Sequence, residues 1–224
     1  KSLNTGTIFV GRQVGKKDFY GYLKKFGLDG ATGIEMGGEA VGNLANLEIN
    51  SDINYATASY GQGISVTPIG LVAAVSALAN DGKLMKPYII DSFIDADGKA
   101  AKAEPREVRQ AVSARTANLV LAMMVSVVEN GHAKGARIPG YKIGGKTGTA
   151  QIPSTDRRGY DADRTIHTFV GFGPMPNPKF TILVKLDAPK ARFAESTSVK
   201  VFHDIAEELV QYYHLAPTEE ADRK

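Results

Sequence analysis

The 224-residue chain contains no cysteine and no tryptophan. Without cysteine there is no disulfide, no thiolate zinc site and no cysteine nucleophile, a composition that sits easily with an oxidising compartment. No apolar run reaches the roughly eighteen residues of a membrane helix, and no charged-then-apolar leader opens the chain. The sequence as it stands fits the exported part of a longer protein. A charge excess of one sign is also lacking: the formal net charge is +3, with lysines and arginines scattered, so nucleic acid is not an expected partner. His132, His167, His203 and His214 show no ligand spacing, and no metal site is expected.

What is present is an ordinary globular composition, 43% hydrophobic, enough for a real core. Phe19, Tyr22, Leu23 and Phe26 recur at helical spacing and Gly27 stops them. Thr67 caps and Pro68 opens a second helix through Leu71, Val72, Val75 and Leu78, closed by Asn80-Asp81-Gly82. LMKPYIIDSFI reads as a strand, DADGK as the turn after it, and the polar passage to Gln110 as loop. Ser113 caps an apolar helix that ends at Asn130-Gly131, with Met123 and Met124 as core filler.

Three strands follow, YKIGGKTGTAQ, IHTFVGFGP and KFTILVKLD. The short PMPNP connection favours an antiparallel hairpin for the last two. IPSTDRRGYDADRT, with Arg157 and Arg158, reads as a long solvated loop. A last helix places Val201, Ile205, Leu209 and Tyr212 on one face, and residues 215–224 read as a charged, disordered tail. With no repeat and no linker, the reading is one α/β unit, an antiparallel sheet packed with helices.

The chemistry concentrates in KTGTA. Lys146 supplies a positive charge, Gly148 lets a ligand approach the backbone, the Thr149 N–H suits a developing oxyanion, and the Thr147 and Thr149 hydroxyls suit a carboxylate. Ser2 and Asn4, at i and i+2, could line an opposite wall, the hydroxyl relaying a proton and the amide gripping a peptide carbonyl. Glu35 and Glu39 lack the E-x-x-L-N context of a deacylating glutamate and read as turn-stabilising. His167 opens a strand expected beside KTGT and is a candidate substrate-facing residue.

Ser2-Leu3-Asn4 together with Lys146-Thr147-Gly148-Thr149 resembles the second and third motifs of the penicillin-binding transpeptidases. TGIEMGGE, SYGQGISVTPIGLVAAVSALANDG, VVENGHAKGARIPGYKIGGKTGTAQ and HTFVGFGPMPNPKFTILVKLD are similar, in order, to segments of the monofunctional class B branch. The resemblance implies a penicillin-binding/β-lactamase-like transpeptidase fold, with residues 1–214 as the C-terminal portion of the domain. It implies that Lys146 pairs with Ser2, that Thr147 and Thr149 bind the carboxylate of a D-alanyl stem peptide or a β-lactam, that the Thr149 N–H forms half the oxyanion hole, and that Asn4 holds the acyl donor's amide. No cofactor is implied. Implied partners are peptidoglycan stem peptides, β-lactams, the N-terminal remainder of the domain and a membrane glycosyltransferase, at the extracytoplasmic face of a membrane and anchored upstream.

One motif is missing. The family's nucleophile lies in S-x-x-K, and no serine of this chain has a lysine three residues later. The nearest match is Thr197-Ser198-Val199-Lys200, at the start of the last helix. The expectation is a nucleophile upstream, a chain inactive by itself, and an open edge beside KFTILVKLD that the rest of the domain covers. Two other activities stay open, a non-catalytic β-lactam sensor and a carboxypeptidase- or β-lactamase-like hydrolase.

Overall fold

A computed structural model describes residues 2–156 and 159–218, the side chain of Ala162 excepted. Arg157 and Arg158 of the expected loop, and residues 219–224 of the expected tail, lie outside the described residues. The described residues form two compact units, Asn4–Ala117 and a second made of Ser2 and Leu3 with the described residues from Asn118 onward.

The first unit opens with helices α1 (Asn4–Val14) and α2 (Lys16–Lys25). Helix α1 has no apolar period in its sequence, mixes glycine with β-branched residues, and buries none of its side chains. Helix α2 ends as its pattern predicts. Gly27 takes φ 74°, its N–H reaches Lys24 O at 2.9 Å and the Leu28 N–H reaches Leu23 O at 3.1 Å, a Schellman ending that needs a left-handed residue. Glu39 then accepts from Thr32 N (2.7 Å), Thr32 Oγ1 (2.6 Å) and Gly33 N (3.0 Å), and Glu35 accepts from Lys86 Nζ (3.0 Å) and Ile89 N (3.3 Å). These carboxylates fix loop backbone, as their sequence context suggests.

Helix α3 (Asp52–Ala58) falls in a polar stretch without periodicity. Its Tyr55 hydroxyl donates to Leu47 O at 2.7 Å, and that tertiary bond is a signal no local pattern carries. Helix α4 (Pro68–Leu78) begins where Thr67 Oγ1 accepts the Gly70 N–H at 3.1 Å. The expected strand over 84–94 breaks into β1 (Lys83–Met85) and β2 (Ser92–Ile94), because Pro87 has no N–H to give a ladder. The passage expected as loop supplies their partners, β3 (Ala100–Lys102) with β2 and β4 (Glu107–Gln110) with β1, both antiparallel.

Helix α5 (Ala114–Asn130) is capped by Ser113, whose Oγ accepts the Thr116 N–H at 3.2 Å. Leu121 and Val128 are buried, whereas Met123 is 65% exposed and is not core filler. In the second unit, β5 (Gly144–Pro153), β6 (Tyr160–Gly173) and β7 (Phe180–Asp187) form an antiparallel sheet in that order. Much of the long loop expected between the first two is strand instead, because Gln151 pairs with Thr165 and Pro153 with Tyr160. Polar strand ends of this kind satisfy their backbone without burying a side chain, so hydropathy does not reveal them.

Helix α6 (Ser198–Tyr212) covers the sheet with a face other than the one expected. Val199, Phe202, Ala206 and Val210 are buried, while Val201, Ile205 and Tyr212 are exposed. The sheet decides this. The Phe202 ring meets Phe169 edge-on at 4.7 Å, and a Cβ on Gly171 would stand 2.6 Å from the same ring, so the groove over Gly171 is shaped for Phe202. Beyond the helix, residues 215–218 are bonded rather than loose: Tyr141 OH donates to Leu215 O at 2.7 Å and the Thr218 N–H to Gly140 O at 2.8 Å.

Candidate functional site

Strand β5 is an edge of the sheet among the described residues, and it carries KTGT from one end toward the other. Its glycines are dictated by the neighbouring strand. A Cβ on Gly144 would lie 2.3 Å from Phe172, and one on Gly145 2.3 Å from Phe169. At Gly148 it would lie 2.4 Å from Thr168 Oγ1. The open backbone at Gly148, expected from sequence as room for a ligand, therefore also answers to a hydroxyl on β6.

Lys146 is half-buried and its ammonium closes a contact with Ser2, 144 positions away in sequence. Nζ donates to Ser2 Oγ at 3.0 Å and to Thr147 O at 2.8 Å, with Thr147 Oγ1 at 3.4 Å. Burial pushes the lysine pKa below its ordinary value of 10.5, and the Glu195 carboxylate opposes that fall. A lysine so placed exchanges a proton with a serine hydroxyl more readily than a solvated one. Thr149 is exposed further along the same strand, directly across from His167.

Ser2, Lys146 and Thr147 are thus brought together, with Gly148 and Thr149 next along the strand. Asn4 belongs to the first unit, where it is the first residue of α1 and its carbonyl accepts from Thr7 Oγ1 at 2.9 Å. His167 corrects the expectation of a substrate-facing residue. It is 0% exposed, with Nδ1 2.9 Å from Thr197 Oγ1 and Nε2 3.0 Å from Thr165 Oγ1. The strand pleat decides this, because His167 shares its side of the sheet with Phe169 of the core.

The same bond disposes of the nearest S-x-x-K match. The Thr197 hydroxyl is held by His167, and Lys200 turns to Asp204 at 3.4 Å. Glu195, which acts on both Lys146 and His167, went unmarked in the sequence, since a single acid in ARFAEST matches no spacing rule.

The chain is similar to proteins of one family. The family model "Penicillin binding protein transpeptidase domain" matches residues 1–207. The chain is 39% identical over 84% of its length to "Stage V sporulation protein D" of Bacillus subtilis, covering 29% of that protein. It is 28% identical over 97% of its length to "Peptidoglycan D,D-transpeptidase FtsI homolog" of Mesostigma viride, covering 39% of it. Among solved structures, penicillin-binding protein 3 of Mycobacterium tuberculosis complexed with aztreonam superposes with a TM-score of 0.90 at 32% identity, over 99% of this chain and 52% of that one. The chain therefore spans about a third of the length of these curated relatives, and the α/β transpeptidase fold expected from its motifs is the fold it has. Ser2 and Lys146, 144 positions apart and one hydrogen bond from each other, stand in a chain that belongs to the penicillin-binding protein transpeptidase domain family.

Proposed function

We propose that this chain forms the C-terminal part of a peptidoglycan D,D-transpeptidase that cross-links stem peptides through a serine acyl-enzyme and is acylated by penicillin. The observation that carries the reading is the 3.0 Å bond from Lys146 Nζ to Ser2 Oγ. It brings Ser2 of S-x-N against Lys146 of K-T-G, the contact that a proton-transfer pair needs. In this reading Ser2 relays a proton, Lys146 tunes that transfer, and Thr147 and Thr149 bind the substrate carboxylate. The Thr149 N–H supplies half of the oxyanion hole, Gly148 leaves the strand open to the ligand, and Asn4 holds the acyl donor's amide.

The nucleophile belongs to an S-x-x-K motif outside these 224 residues, since the chain has none. Acylation joins the serine oxygen to the donor's penultimate D-alanyl carbonyl carbon and expels the terminal D-alanine. An amine of a second stem peptide then takes the acyl group and frees the serine. The protein works at the extracytoplasmic membrane face, anchored by an upstream segment, with a membrane glycosyltransferase as partner.

Fluorescent penicillin tests this. The protein carrying both this chain and its upstream S-x-x-K should label covalently and deacylate slowly, whereas the 224-residue chain alone should not label. Covalent labelling of the chain alone would show that the nucleophile is within it. An unlabelled complete protein would sink the transpeptidase reading, and rapid turnover of the label would point to a hydrolase.

A further inference from the structure

Between α1, α2 and α3 of the first unit lies an open cleft of about 260 Å³. The small residues Gly11, Gly15 and Ala56 leave the space, and Ile8, Phe19 and Tyr55 wall it. Its aromatic wall is fixed. Phe19 meets Tyr55 edge-on with ring centroids 6.2 Å apart, and the Tyr55 hydroxyl is anchored on Leu47 O at 2.7 Å. At Gly11 the helices α1 and α3 are already close, since an added Cβ would stand 3.3 Å from Ser59 Cβ.

Two cations line the cleft, Arg12 and Lys16, against one acid, Asp52. Lys16 Nζ engages that acid at 2.6 Å and Asn50 Oδ1 at 2.7 Å. Arg12 is exposed and makes no hydrogen bond or ion pair among the described residues. The surrounding charge has the same sign. From Asn4 to Lys25 five lysines and arginines stand against one acid, Asp18, a surplus of four where the whole chain has +3, so the positive excess of the protein is concentrated on α1 and α2.

We propose that this cleft is a docking site for an acidic peptide segment of a partner protein: an aromatic side chain packs on the Phe19–Tyr55 wall while a neighbouring carboxylate takes the Arg12 guanidinium. Charge complementarity selects the acid, because a planar guanidinium with free N–H groups pairs with a carboxylate through two parallel hydrogen bonds. Size selects the anchor. About 260 Å³ is below the roughly 300–1,000 Å³ of small-molecule pockets and suits one inserted side chain. The apolar wall is recessed between three helices, out of reach of a flat bilayer surface. Since Arg12 is exposed, the attraction weakens with salt. The site is separate from Ser2 and Lys146, and its occupancy does not depend on acyl transfer.

The test is fluorescence anisotropy of a dye-labelled pentapeptide, one phenylalanine flanked on each side by two acidic residues, titrated with the complete protein that carries this chain. The peptide should bind, and Arg12→Gln should weaken binding on the order of tenfold, the scale of losing one hydrogen-bonded charge pair. Lys25→Gln, on the same basic surface but outside the cleft, should change it by less than about twofold. Alanine in place of the peptide's phenylalanine should also weaken binding, and lysines in place of its acids should abolish it. No binding, or equal binding to wild type and Arg12→Gln, overturns the proposal. Equal losses in Arg12→Gln and Lys25→Gln overturn it as well, because they would mean a diffuse charge field and no defined site. Binding of phosphatidylglycerol vesicles without binding of the peptide would make the surface a membrane contact, and a dimer that Arg12→Gln dissolves in sedimentation would give the cleft to a second copy; either outcome overturns it.

Discussion

Lys146 gathers a serine hydroxyl, a backbone carbonyl and a threonine hydroxyl around one ammonium, and none of the three can take over its charge. In the complete protein, Lys146→Ala should slow penicillin acylation on the order of 10²–10³-fold, or about 3–4 kcal/mol of barrier, the scale of losing a preorganised charge-stabilising group. Stopped-flow labelling measures it, and a wild-type rate would remove Lys146 from the mechanism. Gly148 makes a steric demand. An added Cβ would sit 2.4 Å from Thr168 Oγ1, so Gly148→Ala should destabilise by about 1–3 kcal/mol. Thr168→Ala should recover much of that loss in a double-mutant cycle by chemical denaturation. Additive losses would show that the glycine is required for something other than that hydroxyl.

Among the elements, α6 makes the sharpest distinction. Its buried stripe runs through Val199, Phe202, Ala206 and Val210, and its apolar Val201, Ile205 and Tyr212 face outward. Phe202→Ala should cost about 3–5 kcal/mol, since it empties a ring-sized space between Phe169 and Gly171. Ile205→Ala should stay within about 0.5 kcal/mol, as exposed substitutions do. Urea midpoints of the two variants compare them directly, and the reverse order would mean that the helix is rotated from this placement. Both stripes are apolar at helical spacing, so the sequence alone does not choose between them. The choice falls to Gly171, whose missing side chain leaves the room that the Phe202 ring fills.

For the whole molecule, the buried His167 links folding to pH. Its ordinary pKa is 6.5, and burial holds it lower in the fold, with Glu195 opposing. Below pH 6.5 the unfolded chain then binds more protons than the native one, so stability falls as the pH is lowered from 6.5 until the lowered native value is passed; above 6.5 this group contributes no slope. Glu35, Glu39 and Asp52, held below their ordinary 4.5, 4.5 and 3.8 by Lys86, Thr32 and Lys16, act in a more acidic window. Urea unfolding at a series of pH values should therefore show a slope just below pH 6.5 that His167→Gln abolishes. The same slope in the variant would mean that another group titrates there.

The sequence alone settled where α2 ends and where α4 and α5 begin and end, because caps, a helix-opening proline and a left-handed glycine act within a few residues of themselves, and it carried the family's motifs, Ser2-Leu3-Asn4 and Lys146-Thr147-Gly148-Thr149, in consecutive letters. It did not determine α1 and α3, which have no apolar period, nor the extra strand pairs, which satisfy backbone with exposed side chains. The pairing of Ser2 with Lys146, which the sequence offered through the family resemblance alone, is made by the fold, and the fold alone turns His167 into the core. Each of these depends on strand pleat, helix rotation or chain closure across many residues, and no window of neighbouring residues encodes such distances.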